Sequence, residues 1–436
     1  MNQVKMQFVV SALLASVAFA GEIEDLKKKN EEPEKRIEKL EGAQETEVHE
    51  EHHDEHHEEH GRDLFHHDFG EAQATVNIHM VGLFAVGYSS VKDRFTEGLQ
   101  GGGHDPKRRG FNLQQLELAF SGALEPYISL DAFAVFSLEG VELEEAYFRT
   151  LILPAGLQLE GGLMLTEFGI VNPQHPHEWH WLDQPVINTR LLGGEGTRGV
   201  GLRLGWLTPL PWFSQVHVGV QMANDETMVS FLGGEDSQSP GGFERSERDV
   251  ESFKEFLYLL RWHNRVEAGT VSFDIGVSGL AGPNASGDRG ASWILGGDSA
   301  LNWKNEIGAR FTVQGEVMYR YFQANGGVVD GAPVEPATLG DWGGYLCVLG
   351  SPIQNWSFGV RGEWADGREQ GTQPRAADSL RDRRLRLSPL VQWQCCELAR
   401  VRLQYNFDHV QHLKESTAHG VWLRIEIEFG THHHHE

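Results

Sequence analysis

From Ala72 to Phe429 the chain alternates apolar and polar residues in short runs. The last run is the clearest. Val421, Leu423, Ile425, Ile427 and Phe429 share one parity, and Trp422, Arg424, Glu426 and Glu428 share the other. Successive side chains of a strand point to opposite faces, so one face of this strand is wholly apolar and the other mostly charged. The pattern recurs about sixteen times, with short and long connections in alternation. It predicts an all-β fold: a transmembrane antiparallel up-and-down β-barrel, apolar toward lipid and polar toward a lumen. Only helices and closed barrels satisfy every backbone group inside a bilayer. No later stretch reaches the roughly 20 apolar residues of a spanning helix.

Strands are expected near 73–88, 110–123, 128–137, 141–152, 156–168, 196–207, 214–225, 253–263, 268–281, 291–303, 309–322, 342–350, 355–365, 384–395, 398–409 and 418–429. Short turns in such barrels face the periplasm and long loops face outside, so an even strand number puts both termini in the periplasm. Tyr127, Trp206, Trp212, Phe213, Trp262, Trp303 and Trp356 cluster at the short-turn side and read as an interfacial girdle.

Alternation also assigns the lumen. Arg310 and Arg320, Arg361, Arg384 and Arg386, Arg400 and Arg402, and Arg424 fall on the polar parity of the late strands. Glu117, Asp131, Glu145 and Glu160 do so on the early ones. An arginine facing lipid near the midplane costs about 2–4 kcal/mol, so these side chains are expected to point inward. Two readings stand side by side: a charged pore wall that orders ions and solutes, or paired charges that only stiffen the wall.

The loop at 169–195 has unusual content for an exterior loop. Pro, His and Trp are dense in it, with Asn172, His175, His177, Trp179, His180, Trp181 and Asp183, then Arg190 and Glu195. Such content suggests a loop packed on the inner wall as a constriction. Its three histidines with Glu178 and Asp183 are also candidate transition-metal ligands; hydrogen bonding and stacking on the wall is the alternative.

The chain before the barrel divides into three. Residues 1–20 read as a secretory signal peptide, with Lys5, an apolar run from Phe8 to Val17, and Ala18-Phe19-Ala20 as the cleavage site. Secretion and a barrel together imply a Gram-negative outer membrane. Residues 21–42 read as a short helical segment with heptad spacing from Ile23 to Leu40 and Asn30 at an a position, which fits a homotrimer. Residues 43–71 form a His- and acid-rich linker. His49, His53 and His57 are spaced four apart, as are His52, His56 and His60; His66 and His67 follow, and a His-rich tail occupies 431–436. Imidazole at this spacing suits weak, multivalent capture of Zn2+ or similar ions; a solvated spacer is the alternative. No cofactor is otherwise required.

Much of the formal charge of −26 lies in this linker region, and so acidic a chain is not expected to bind nucleic acid. The three cysteines, Cys347, Cys395 and Cys396, are read as free thiols. No Ser-His or paired-Asp constellation can be assembled, so no enzyme is expected.

The leader, the heptad and the sixteen strands together resemble the phosphate-selective porin group. So does Leu143-Glu144-Glu145-Ala146-Tyr147, followed by Gly162-Leu163-Met164-Leu165-Thr166-Glu167-Phe168-Gly169 just before the second long loop. A closer likeness is to proteobacterial proteins labelled zinc-regulated TonB-dependent outer-membrane receptors. It is carried by Phe111-Asn112-Leu113-Gln114-Gln115-Leu116-Glu117, by Pro154-Ala155-Gly156-Leu157-Gln158-Leu159, and by Asn172-Pro173 through His175, His177, Trp179, Asp183 and Pro185 to Gly193-Gly194-Glu195-Gly196. This resemblance implies an outer-membrane barrel with a link to zinc. The leading expectation is a porin-like channel for ions and small hydrophilic solutes in outer-membrane lipid. The alternative is a zinc-related receptor whose barrel mainly anchors metal-binding segments.

Overall fold

The computed structural model describes residues 65–430, apart from 70–71, 234–239, 244, 246–247, 249, 251, 307, 330–331, 371–380 and 412. The unit Met1–His60 falls outside the described residues, and with it the leader, the heptad and His49 to His60. The tail at 431–436 does too.

Sixteen antiparallel strands close into a ring. They are β1 Ala72–Ser89, β2 Gly110–Glu125, β3 Ile128–Phe136, β4 Val141–Thr150, β5 Leu157–Leu165, β6 Arg198–Leu207, β7 Phe213–Met222 and β8 Phe256–Ala268. The second half holds β9 Val271–Pro283, β10 Ala291–Lys304, β11 Arg310–Ala324, β12 Ala337–Ile353, β13 Trp356–Gln370, β14 Arg384–Cys396, β15 Ala399–Val410 and β16 Thr417–Gly430. Each strand pairs with its sequence neighbours. β16 pairs with β1 from Gly420↔Ser89 to Gly430↔His79, which leaves no open edge. Sixteen strands is a porin count; outer-membrane transporters with a plugged lumen have 22.

All sixteen expected strands are present, with shifted ends. β12 begins at Ala337 rather than 342, and β13 extends to Gln370, so the wall stands higher there than the sequence pattern suggested. β3, β4 and β5 are only 9, 10 and 9 residues long, so the wall is low on that side. A short strand, Phe65–Phe69, pairs with β1 from Phe65↔Val76 to Phe69↔Ala72, continuing the ladder just past the last β16 partner, His79.

Side chains obey the alternation. On β15, Arg402, Gln404, Asn406 and Asp408 are buried while Leu403, Tyr405 and Phe407 are exposed on the outer face. Of the short-turn aromatics, Tyr127, Trp206, Trp212, Phe213, Trp262 and Trp356 are exposed and Trp303 is half-buried. Tyr88, Phe111, Tyr258, Trp293 and Tyr321 are exposed at the opposite ends of their strands. The apolar outer face thus has an aromatic belt at each rim.

Two bulges within the wall break the alternation, and two further register shifts fall at the short-turn ends of β12 and β14. Gln114 is inserted in β2 between the pairs Leu83↔Gln115 and Phe84↔Leu113. Glu144 is inserted in β4 between Phe133↔Glu145 and Ala134↔Leu143. A bulge sets two consecutive residues opposite one and re-aims a side chain. Here Gln114 and Gln115, and likewise Glu144 and Glu145, are all buried.

The interior is not uniformly polar, which alternation alone had suggested. Helix α1 (Asp93–Leu99) lies in the β1–β2 connection and helix α2 (Val186–Leu192) in the β5–β6 connection. Val186, Ile187, Leu191 and Leu192 of α2 form an apolar core with Phe168, Met228 and Phe231 from loops and Leu257, Leu259, Ile294 and Met318 from the wall. Burying each such side chain contributes about 1.5–3 kcal/mol. The inserted loops therefore have a hydrophobic anchor as well as polar ties.

Candidate functional site

Residues 166–197, between β5 and β6, lie inside the barrel. The arginines of β13 to β16 meet them there. Asp183 is completely buried. Its Oδ1 accepts from Arg361 Nη2 at 2.5 Å and Gln404 Nε2 at 2.8 Å. Its Oδ2 accepts from Arg386 Nη1 and Asn406 Nδ2, both at 2.8 Å, and from Gln100 Nε2 at 3.2 Å. Arg402 Nη1 donates to the Trp179 carbonyl at 2.7 Å, Arg400 donates to the His177 carbonyl, and Trp181 Nε1 donates to the Ser388 carbonyl at 2.9 Å. The Arg361 guanidinium sits 5.4 Å from the Trp181 ring centroid. Charge-assisted bonds of this kind are shorter and stronger than neutral ones.

The remaining arginines are paired as well. Arg384 and Arg386 share Asp408 at 2.9 and 2.8 Å, Arg424 reaches Glu426 at 3.1 Å, and Arg320 reaches Asp341 at 2.7 Å. Arg190 donates to the Asp382 carbonyl at 2.6 Å. Arg310 is different: it has lumenal parity but stands exposed at the short-turn end of β11, outside the constricted region, because its strand starts there. Glu160 is held between Arg149 at 2.8 Å and Arg203 at 2.5 Å, and Asp131 is buried on β3. Asn172 donates to the Thr166 carbonyl at 2.7 Å and fixes the start of the loop. Glu316 accepts from Val171 N at 2.9 Å, from Ile170 N, and from Asn188 Nδ2 at 3.0 Å.

The proposed ligand set His175, His177, His180 and Asp183 does not assemble. Asp183 is saturated by guanidinium and amide donors. His180 packs edge-on against Trp181, with centroids 6.5 Å apart, beside Arg400 and Arg402, where a further cation is repelled. His175 and His177 instead stand in an acidic corner, with their rings 6.0 Å apart and stacked. His175 is sandwiched by Phe133 at 4.4 Å. The partners there are Glu117, Glu144, Glu145, His104 and Glu195. His104 and Glu144 were not foreseen: strict alternation left Glu144 on the wrong face, and the loop holding His104 gave only its Gly101-Gly102-Gly103 run as a sign of compact structure. His66 and His67 lie on the short strand that pairs with β1.

Inward positions of β11 to β15 at loop level are almost wholly buried. Those nearer the short turns, such as Thr312, Gln392 and Gln394, are half-exposed. The lumen therefore narrows from the short-turn side to the inserted loops.

No family model matches the chain. It is 29% identical over 278 residues to an uncharacterized protein of Aquifex aeolicus (strain VF5), a match spanning 60% of this chain and 56% of that relative's length. Among solved structures it is similar to the outer-membrane channel DcaP of Acinetobacter baumannii, with TM-score 0.53, 10% identity, and 82% of this chain and 97% of that chain covered. It is also similar to an anion-selective porin from Comamonas acidovorans, with TM-score 0.50, 9% identity and 82% and 100% covered. A third likeness is to OmpT, an outer membrane protein of Vibrio cholerae, with TM-score 0.50, 7% identity and 82% and 98% covered. At such identities the likeness is one of fold, and the fold is the closed sixteen-stranded barrel of porins.

Proposed function

We propose that this protein is a porin-like outer-membrane channel for passive passage of ions and small hydrophilic solutes, with both termini in the periplasm and residues 169–195 as its constriction. The observation that carries the reading is the loop drawn into a closed barrel and tied to a charged inner wall beneath an apolar outer face. The likeness to the Acinetobacter channel and the Comamonas porin supports it. A homotrimer fits the same reading, and a trimer form of the Vibrio protein has the same fold. The dense packing at loop level favours small unitary conductance. Planar-bilayer recording of the purified full chain is expected to show discrete, small conductance steps. Correctly folded, inserted protein that gives no steps above the bare bilayer would overturn the reading.

A further inference from the structure

The acidic corner beside the constriction has the donors of a metal centre. His175 Nδ1 lies 3.1 Å from Glu144 Oε2 and 3.3 Å from Glu117 Oε2, and its Nε2 lies 2.9 Å from Glu145 Oε2. The other oxygen of Glu144 is 2.8 Å from His104 Nε2, which is also 2.7 Å from Glu195 Oε2. Ligand atoms of Glu117, Glu144 and His175 lie within 4.8 Å of one another, and so do those of His104, Glu144 and Glu195. Glu117 has no exposed surface, and its Oε1 has no hydrogen-bond partner; His177 Nδ1 stands 3.6 Å away from it.

Four carboxylates here meet three imidazoles. The corner stays net negative even with every ring protonated; with His175 neutral, as a metal ligand must be, four carboxylates face two protonated rings, and one dication offsets the remaining charge of −2. The donors are imidazole nitrogen and carboxylate oxygen without thiolate, a set that suits divalent zinc, nickel or iron rather than a soft monovalent ion. His175 also has the second-contact geometry of a metal-bound histidine: with Nδ1 turned to two carboxylates, its Nε2–H donates to Glu145, which fixes the ring and raises its basicity. The bulge at Glu144 is what places Glu144 and Glu145 on the same side of the wall.

We propose that Glu117, Glu144 and His175 bind a divalent transition-metal ion, with the far oxygen of Glu144 bridging to a second position between His104 and Glu195. The ion would join the β1–β2 and β5–β6 loops to the wall at β2 and β4. The site is independent of whether the lumen conducts.

Zinc titration of the full detergent-purified chain tests this, with wild type compared against E144Q and H175Q. The other histidine-rich segments are the same in all three proteins, so the difference reports this corner. Wild type is expected to bind one or two more equivalents than E144Q, and H175Q to bind at least ~10-fold more weakly at this site. Crystals of wild type soaked in zinc should show an anomalous peak between Glu117, Glu144 and His175. Equal stoichiometry and affinity in folded wild type and variants would overturn the proposal, because the corner would then be held by protonated histidine alone. If either variant fails to fold, the anomalous map of wild type decides: a peak at the corner supports the site, and zinc found only elsewhere refutes it.

Discussion

Asp183 and His175 are eight residues apart on one loop and meet opposite chemistry. Asp183 is a carboxylate surrounded by donors, two guanidinium groups and three amides. His175 is an imidazole surrounded by three carboxylates. At Asp183 every lone pair is used and its charge is met by guanidinium groups that also pair with Glu363 and Asp408, so the contact works as a lock. At His175 negative charge is in excess, so the contact has capacity left for a cation. A charged lumen is thus two environments: a closed polar network that fixes the loop, and an open one suited to a ligand.

Removing the lock should have the largest effect. Asp183→Ala leaves Arg361 and Arg386 buried without their shared carboxylate, and breaking a buried pair this way costs about 3–5 kcal/mol. Loop docking should weaken by about two to three and a half orders of magnitude, since each 1.4 kcal/mol is a factor of ten. Limited proteolysis within 169–195 of the folded barrel reads this, and unchanged cleavage would sink the lock. Glu316→Ala should act on the same loop more mildly. It strips the acceptor from Ile170 N and Val171 N, and a buried donor left unsatisfied costs about 1–3 kcal/mol. Its cleavage should lie between those of wild type and Asp183→Ala. The smallest effect is expected at the rim. Arg383 is well exposed and pairs with Asp366 at 3.1 Å, so Arg383→Ala should cost about 0–1 kcal/mol and leave cleavage near wild type. A rim variant as susceptible as Asp183→Ala would mean that general charge, not burial, holds the loop.

The barrel was readable because a period of two needs only local sequence. Leu403, Tyr405 and Phe407 against Arg402, Gln404 and Asp408 declare their faces without any knowledge of the partner strand. The inward loop left a composition signal in Trp179, Trp181 and the neighbouring prolines. The pairing of charges was not readable, because Asp183 finds Arg361 and Arg386 about two hundred positions away. Nor was the acidic corner: a one-residue insertion at Glu144 reverses the parity on which face assignment rests. The apolar packing of α2 on Leu257, Leu259 and Ile294 was hidden for a related reason, since apolar residues on both parities blur the alternation.

The five-residue strand Phe65–Phe69 has a mechanical consequence. It is zipped antiparallel to β1 on the side where β16 closes the ring, with its outermost pair, Phe65↔Val76, next to the closure. A tug on the chain ahead of Phe65 must first peel this small ladder, one hydrogen-bonded pair at a time. Peeling loads a few bonds at once, whereas shear would load them all. The strand would therefore yield at low force and spare the joint between β16 and β1, much as a tear strip protects a seam.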